Sequence, residues 1–168
     1  MLKLGVISDT HGFYRDEIDN LFYDCNHIFH AGDIGNPAII ERLQRIAPTT
    51  WVKGNCDFPS MLPPNTKLEE NIALGGFRIY MTHQPEGVSR FLEMNEFDIS
   101  EGNIPYICIH GHTHIERIDT GNDSSPAKLI FNPGSASRPR GFRAQPSVGI
   151  IEVEDGCVVS AEILNMNG

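Results

Sequence analysis

The feature that most constrains this sequence is a short apolar run that stops at a polar triplet. Residues 2–7 have the apolar character of a buried strand, and Asp9, Thr10 and His11 come just after it. A helical pattern over residues 16–23 follows. In open α/β sheets, ligands bind at the carboxyl ends of the strands. Asp9 and His11 are therefore expected where a carboxylate and an imidazole can face one metal ion.

The same unit recurs along the first third of the chain. Strands are predicted over residues 27–30 and 50–52, and the helix between them is expected to begin with Asn36 as its N-cap. Polar residues again follow the strands, with Asp33 after the second strand and Asn55 after the third. Successive strand, loop and helix units of this kind predict a parallel sheet.

The rest of the chain is rich in predicted hairpins. Its elements are a hairpin over residues 67–73 and 76–81, a helix over 88–97, a strand over 106–109, a hairpin over 115–120 and 128–131 with its turn at 121–125, and a closing hairpin over 148–153 and 157–164. The closing turn, Asp155-Gly156, favours type I′ geometry. Parallel units followed by hairpins predict an α/β fold of two stacked sheets with helices outside.

Length and charge narrow the possible functions. The 168 residues fit a single domain over 1–168. No run of about 18 apolar residues is present, and the first residues lead straight into a strand, so we expect a cytoplasmic protein with no membrane partner. The net charge of −9 repels phosphate backbones, which disfavours a broad nucleic-acid-binding surface. The four cysteines are scattered and do not suggest a disulfide framework.

Polar side chains at five predicted strand ends could bind metal ions. They are Asp9 with His11, then Asp33, Asn55, His83, and finally His112 with His114. Carboxyl strand ends can meet at one edge of an open sheet even when they are distant in sequence. The set offers two carboxylates, one amide oxygen and four imidazoles. That is too many ligands for one tetrahedral ion and about right for two ions that share a carboxylate.

In this order, the motifs resemble those of the calcineurin-like metallophosphoesterases. They are Asp-x-His at 9–11, Gly-Asp at 32–33, Gly-Asn-Cys-Asp at 54–57, Thr-His at 82–83, Gly-His-Thr-His at 111–114 and Asn-Pro-Gly-Ser at 132–135. The likeness is greatest to the small bacterial and archaeal phosphodiesterase branch, which also includes the retromer subunit Vps29. The resemblance implies a four-layer αββα sandwich, in which helices flank two mixed sheets and a two-metal site lies at one edge.

The resemblance also implies which residues hold two divalent ions. One ion would be held by Asp9, His11, Asp33 and His114, and the other by Asp33, Asn55, His83 and His112, with Asp33 as the bridge. Mixed imidazole, carboxylate and amide ligation suits Mn²⁺, Fe²⁺, Ni²⁺ or Zn²⁺ better than Mg²⁺ or Ca²⁺. Among these transition metals we expect Mn²⁺ first, although the ligands themselves do not choose among the four.

The expected function is that of a dinuclear metal-dependent phosphoesterase. We expect a phosphodiesterase, which hydrolyses a small phosphate ester by in-line attack of a metal-bridging hydroxide. Asp33, Asn55, His83 and Cys56 are the residues assigned to catalysis. Cys56 stands where many relatives have a histidine, and a neutral thiol is a weaker hydrogen-bond donor than an imidazolium. Leaving groups that need little protonation are therefore favoured.

Two alternatives to this function stay open. One is a catalytically weak or inactive protein-binding scaffold that resembles Vps29. The other is a one-metal protein, because the segment 82–85 reads Thr-His-Gln-Pro where relatives usually have His-Gly-His. The three arginines of the loop 138–143 are either solvated charges or contacts to an anionic substrate. A monomer or a homodimer is expected, since an exposed hairpin edge permits pairing.

Overall fold

The computed structural model describes residues 1–101, 105–121 and 127–167, and these form two five-stranded mixed sheets with flanking helices. The strands are β1 (Leu2–Ile7), β2 (His27–His30), β3 (Thr49–Trp51), β4 (Glu69–Leu74), β5 (Phe77–Thr82), β6 (Tyr106–Ile109), β7 (Arg117–Thr120), β8 (Leu129–Asn132), β9 (Ser147–Glu154) and β10 (Cys157–Asn165). The helices are α1 (Glu17–Phe22), α2 (Pro37–Gln44), α3 (Pro85–Met94) and α4 (Glu96–Glu101), with a 3₁₀ turn at Pro59–Met61. The predicted α/β sandwich is confirmed.

The first sheet has the strand order β10-β9-β1-β2-β3, and its last three strands are parallel. Ile7 pairs with His30 and His30 pairs with Trp51, so the three strands end side by side. The loops that carry Asp9, Asp33 and Asn55 therefore leave the sheet at one edge, as the sequence predicts.

The second sheet has the order β4-β5-β6-β8-β7, and β5, β6 and β8 are parallel. Met81 pairs with Ile109, which in turn pairs with Phe131. The carboxyl ends of β5 and β6 are thus neighbours. This register brings His83 close to the loop 110–114.

Apolar side chains fill the space between the two sheets. They include Leu4, Val6, Phe29, Ile151 and Val153 from the first sheet and Phe77, Ile79, Ile107, Leu129 and Phe131 from the second. Burying a side chain of this size contributes roughly 1.5–3 kcal/mol. Helices α1 and α2 cover the outer face of the first sheet, and α3 packs on the second. No helix in the described part of the chain is long and apolar enough to cross a bilayer.

Three local predictions, for one helix and two turns, have different outcomes. The helix predicted over 88–97 begins at Pro85, whose fixed φ suits a first helical position, and it is interrupted at Asn95. The Asn95 side chain there donates a hydrogen bond to the carbonyl of Phe91. The closing turn has φ of 47° at Asp155 and 74° at Gly156, which confirms type I′. The turn predicted at 121–125 lies outside the described residues except at 121.

Asn36 provides a test of the predicted N-cap of α2. Its side-chain oxygen accepts a hydrogen bond from the N–H of Ala38 at 3.0 Å. We expect Asn36→Ala to lower the free energy of unfolding by about 1 kcal/mol, because this N–H loses its partner. Asn36→Asp keeps the acceptor and should retain most of the stability. Urea unfolding of both variants checks this expectation, and equal stability of the two would contradict it.

Candidate metal centre

Polar side chains from five strand ends converge at one edge of the sandwich. Asp9 and His11 follow β1, Asp33 follows β2, Asn55 follows β3, His83 follows β5, and His112 and His114 follow β6. The first four come from the first sheet and the other three from the second. The structure therefore brings together every residue that the sequence predicts as a metal ligand.

Imidazole nitrogens point at the two carboxylates. The Nε2 atom of His114 lies 3.1 Å from Asp9 Oδ1, and the Nε2 atom of His83 lies 3.2 Å from Asp33 Oδ2. His11 stands between the carboxylates, with its Nε2 3.7 Å from Asp9 Oδ1 and 3.8 Å from Asp33 Oδ2. Asp9, His11 and His114 make one group that could hold a cation, and Asp9, Asp33 and His83 make another.

Asn55 and His112 complete the cluster on its exposed side. The Oδ1 atom of Asn55 lies 2.9 Å from Nδ1 of His112. The rings of His112 and His83 meet edge to face, with centroids 5.2 Å apart. An amide oxygen and an imidazole thus stand beside His83 and Asp33, where the resemblance implies the second ion.

Two buried atoms of the cluster make no hydrogen bond in the described part of the chain. They are Oδ1 of Asp9 and Nε2 of His83. The close approach of His114 to Asp9 Oδ1 is an ion-pair contact and does not satisfy hydrogen-bond geometry. A buried polar atom without a partner costs roughly 1–3 kcal/mol. A cation between these donors would remove that cost, so the residues present fit divalent metal ions.

Backbone carbonyls fix the orientation of two of these imidazoles. Nδ1 of His83 lies 2.7 Å from the carbonyl oxygen of Ala31, and Nδ1 of His114 lies 2.5 Å from that of Arg138. Only a protonated Nδ1 can donate to a carbonyl, so Nε2 is the atom left to bind a metal in each neutral ring. Such hydrogen bonds are the usual means of orienting metal-binding histidines.

The loops that carry the ligands adopt a left-handed backbone conformation. The φ angles are 55° at Asp9, 47° at His11, 55° at Asp33, 70° at His112 and 59° at His114. Non-glycine residues rarely adopt this conformation, and it persists where the surrounding structure imposes it, often at functional sites. Each turn redirects the chain immediately after a strand and aims the side chain into the cluster.

Two glycines allow the loops to approach the carboxylates closely. A Cβ atom at Gly54 would overlap the side chain of Asp33, and one at Gly111 would overlap Ser8 and Asp9. Only glycine leaves room at these positions. The glycines of Gly-Asn-Cys-Asp and Gly-His-Thr-His are therefore part of the site, because they let the carboxylates lie against the backbone of the next loop.

Asp57 joins the loops that follow β2 and β3. Its carboxylate accepts hydrogen bonds from the N–H groups of Ile34 at 3.1 Å, Gly35 at 3.0 Å and Gly54 at 2.9 Å. Asp57 is buried, so these bonds replace its contact with water. The sequence placed Asp57 in a motif but gave it no role. The signal available in the sequence was an aspartate that follows a glycine closely at the end of a strand.

Asp9 is supported by residues from the loop after β8. Its backbone carbonyl accepts hydrogen bonds from the hydroxyls of Ser135 and Ser137, each at 2.8 Å. Asn132 in the same segment donates to the carbonyl of Gly111 at 3.1 Å and to Thr113 Oγ1 at 2.9 Å. The Asn-Pro-Gly-Ser motif at 132–135 thus supports two of the candidate metal-binding loops, those that follow β1 and β6.

The strand position of His30 favours a structural histidine rather than a ligand, and the structure places its ring behind the loop of β1. Its Nδ1 accepts a hydrogen bond from the N–H of Gly32, so its Nε2 carries the proton and donates to Thr10 Oγ1 at 2.9 Å. The Thr10 hydroxyl in turn donates to the carbonyl of Ile34. Burial lowers the pKa of His30 to about 3, so this ring stays neutral. It ties the loop of Asp9 to that of Asp33.

The cluster keeps its carboxylates ionised. Burial raises the pKa of Asp33, but the close approach and charge of His83, together with the hydrogen bond from the N–H of Cys56, lower it more, and the net shift is downward. The pKa of Asp9 is also lowered, since His114 and His83 outweigh the effect of burial. Conversely, the carboxylates outweigh the effect of burial and raise the pKa of His83, and the close carboxylate of Asp9 raises the pKa of His114. Metal binding to these rings therefore competes with their protonation.

A polar cavity of about 370 Å³ opens over the cluster. It is lined by His11, Asp33, Asn55, Cys56, His112, His114, Arg138, Pro139 and Arg140. Arg138 and Arg140 therefore face the site, whereas the guanidinium of Arg143 lies over the ring of Phe142 at 5.2 Å. Burial and the nearby Asp33 raise the pKa of the Cys56 thiol, which keeps it protonated at neutral pH.

Comparison with known proteins agrees with the motifs. Residues 2–156 match the family model described as the calcineurin-like phosphoesterase superfamily domain. A probable metallophosphoesterase of Methanothermobacter thermautotrophicus is 32% identical over 172 residues, which covers 97% of this chain and 92% of that protein. The chain belongs to the calcineurin-like phosphoesterase superfamily. A probable metallophosphoesterase of Bacillus subtilis, 30% identical over 159 residues, covers 92% of this chain and 86% of its own length.

Solved structures share the fold of this calcineurin-like chain. A predicted phosphoesterase from Streptococcus pneumoniae has a TM-score of 0.69 at 24% identity, covering 98% of this chain and 89% of that one. Vps29 from Chaetomium thermophilum has a TM-score of 0.70 at 17% identity, covering 98% and 97%. An archaeal phosphodiesterase has a TM-score of 0.67 at 23% identity, covering 97% and 100%. At these identities the likeness shows the fold alone.

The buried, neutral ring of His30 should make the free energy of unfolding depend on pH. Its pKa is near 6.5 in an unfolded chain and about 3 in the folded protein, so between these values the unfolded state binds the extra proton. Stability is lost as the pH falls through this window, by about 1.4 kcal/mol per pH unit from this residue. His30→Gln should give a shallower slope than the wild type in urea unfolding from pH 6.5 to 4. Parallel curves would contradict a neutral buried His30.

The hydrogen bonds of Asp57 should contribute to stability by holding the loops after β2 and β3 together. Asp57→Asn keeps the shape of the side chain but replaces one charged acceptor oxygen with a donor that faces N–H groups. We expect the free energy of unfolding to fall by about 1–3 kcal/mol. Asp155→Asn, in the exposed closing turn at a positive φ that asparagine also tolerates, is the control and should change stability little. Thermal unfolding of the metal-free proteins checks this, and an unchanged Asp57→Asn would show that the three bonds do not hold the loops.

Proposed function

We propose that the protein is a dinuclear metal-dependent phosphodiesterase that acts on small phosphate esters. The observation that carries this proposal is a pair of buried atoms, Asp9 Oδ1 and His83 Nε2, that make no hydrogen bond with any described residue and lie inside a cluster of seven possible ligands. When bound, two divalent cations supply a Lewis acid for the phosphate oxygens and lower the pKa of a water molecule so that it can attack the phosphorus in line.

The ligands of the two cations divide around Asp33. Asp9, His11, Asp33 and His114 would hold one ion, and Asp33, Asn55, His83 and His112 would hold the other. Two contacts support the bridging role of Asp33: its Oδ2 lies 3.2 Å from His83 Nε2 and 3.8 Å from His11 Nε2. The N–H of Cys56 holds its Oδ1 at 2.8 Å, which fixes the carboxylate between the two halves.

The remaining groups of the cavity act on the substrate. Arg138 and Arg140 line the cavity as cations on a protein of net charge −9, and we assign them to the non-bridging oxygens of the phosphate. Cys56 offers a neutral thiol, which is a weak proton donor. Stable leaving groups such as phenolates are therefore preferred.

A metal titration tests the proposal. Metal-stripped protein is titrated with Mn²⁺ while hydrolysis of bis(p-nitrophenyl) phosphate and the bound metal are measured together. We expect activity to reach a plateau near two ions per chain, with Fe²⁺, Ni²⁺ and Zn²⁺ as comparison metals. A plateau at one ion would support the one-metal alternative. Full loading without hydrolysis of diester or monoester would support a binding scaffold of the Vps29 kind.

Asp33→Asn tests the bridge itself. An amide binds cations more weakly than a carboxylate, so the variant should bind both ions less tightly and lose at least 100-fold in kcat/KM, on the order of the effect of a disturbed metal site. Asp119→Asn, on an exposed strand, is the control. Circular dichroism confirms that the variant is folded. Activity that survives in folded Asp33→Asn would remove the bridging role.

A further inference from the structure

A second, larger cavity borders the candidate metal centre on the side of α3. Its volume is about 990 Å³, compared with about 370 Å³ for the metal cavity. Its walls come from the segment after β3, the start of β4, the end of β5 and α3. Asn55 lines both cavities, and His83 lines the larger one. A molecule that reaches from the metal centre past Asn55 therefore enters this space.

The larger cavity is apolar and aromatic, whereas the metal cavity is polar. Tyr80 and Phe91 stack in its wall, with ring centroids 3.8 Å apart and planes inclined by 6°. Three further apolar residues surround it, namely Phe58, Leu68 and Met94, which are 66%, 67% and 77% exposed. Large apolar side chains that are exposed around one groove indicate a binding site.

Charged residues of both signs line the larger cavity. Lys53 and Arg90 line it together with Asp57, Glu69 and Glu86. Neither cation makes an ion pair with any residue that the structure describes. Glu69 accepts the hydroxyl hydrogen of Tyr80 at 2.6 Å. A cavity with both cationic donors and anionic acceptors is better suited to bind a neutral ring with polar edges than a second anion.

We propose that the larger cavity binds a nucleoside that is esterified to the phosphate at the metal centre. A nucleobase is planar, stacks on aromatic and apolar side chains, and carries hydrogen-bonding groups at its edges. Because the net charge of −9 repels a polynucleotide, the substrate class is that of small nucleotide diesters. The inference rests on the proposed function, since the phosphate at the metals determines where the nucleoside begins.

Two substrates with one leaving group test the inference. Both are p-nitrophenyl phosphodiesters, one with thymidine and one with methyl as the second ester group. The variant is Phe58→Ala/Met94→Ala, chosen because both side chains are exposed and their loss should leave the fold intact. Phe142→Ala is the matched control, because Phe142 is 92% exposed and lines a different cavity beyond Arg140.

We expect the wild-type protein to prefer the thymidine ester. The double variant should lower kcat/KM for that ester about tenfold, mainly through KM, because a stacking surface is lost. Its kcat/KM for the methyl ester should stay at the wild-type value, and Phe142→Ala should change neither. An equal loss for both esters, no loss for either, or the same loss in Phe142→Ala would overturn the proposal.

A binding measurement separates this proposal from the proposed function. Thymidine monophosphate and methyl phosphate are titrated into the Mn²⁺-loaded proteins by calorimetry. If the wild type hydrolyses neither ester, the proposed phosphodiesterase fails. Even then, tighter binding of thymidine monophosphate that Phe58→Ala/Met94→Ala abolishes would support the nucleoside site. Equal affinity for the two phosphates would overturn it, whether or not hydrolysis occurs.

Discussion

The fixed position of Asp9 is the constraint on which the candidate metal centre depends. Its N–H donates to the carbonyl of Gly32, and its Oδ2 accepts hydrogen bonds from Ser8 at 2.6 Å and from the N–H of His112 at 3.0 Å. Its own carbonyl accepts two serine hydroxyls from the loop after β8. One residue thus connects loops of both sheets. The remaining oxygen, Oδ1, is held in place without a hydrogen bond from any residue that the structure describes, so it could bind a cation.

Periodicity and strand-end residues predicted most of the fold and the whole candidate ligand set. The alternation of apolar runs with polar loops gave the three parallel strands that end at Asp9, Asp33 and Asn55. The position of His83 after a strand makes it a candidate ligand, and the structure places it beside Asp33. The ends of β1, β2 and β3 meet because parallel strands of one sheet end at a common edge. The joining of the two sheets at that edge was implied by the family resemblance rather than by periodicity.

Other parts of the site were not predictable from the pattern of residue types. His30 looks like an ordinary strand residue, and only its contacts to Thr10 and Gly32 reveal that it ties two loops. Asp57 accepts hydrogen bonds from three N–H groups in two different loops, and the distance between these loops cannot be predicted from the sequence. The larger cavity depends on where α3 begins. The sequence pattern predicts a helix from residue 88, whereas α3 begins three residues earlier at Pro85.

The left-handed turns restrict which residues could replace the ligands. Aspartate, asparagine and histidine are the non-glycine residues most often found at positive φ, and they are also good ligands for divalent transition metals. At Asp9, His11, Asp33, His112 and His114, one side chain therefore meets both a conformational and a chemical requirement. Glutamate or cysteine could coordinate a cation but would be strained in such a turn. A change of metal preference by exchanging these residues one at a time would thus be difficult, since the backbone conformation restricts which residue types can occupy the five positions.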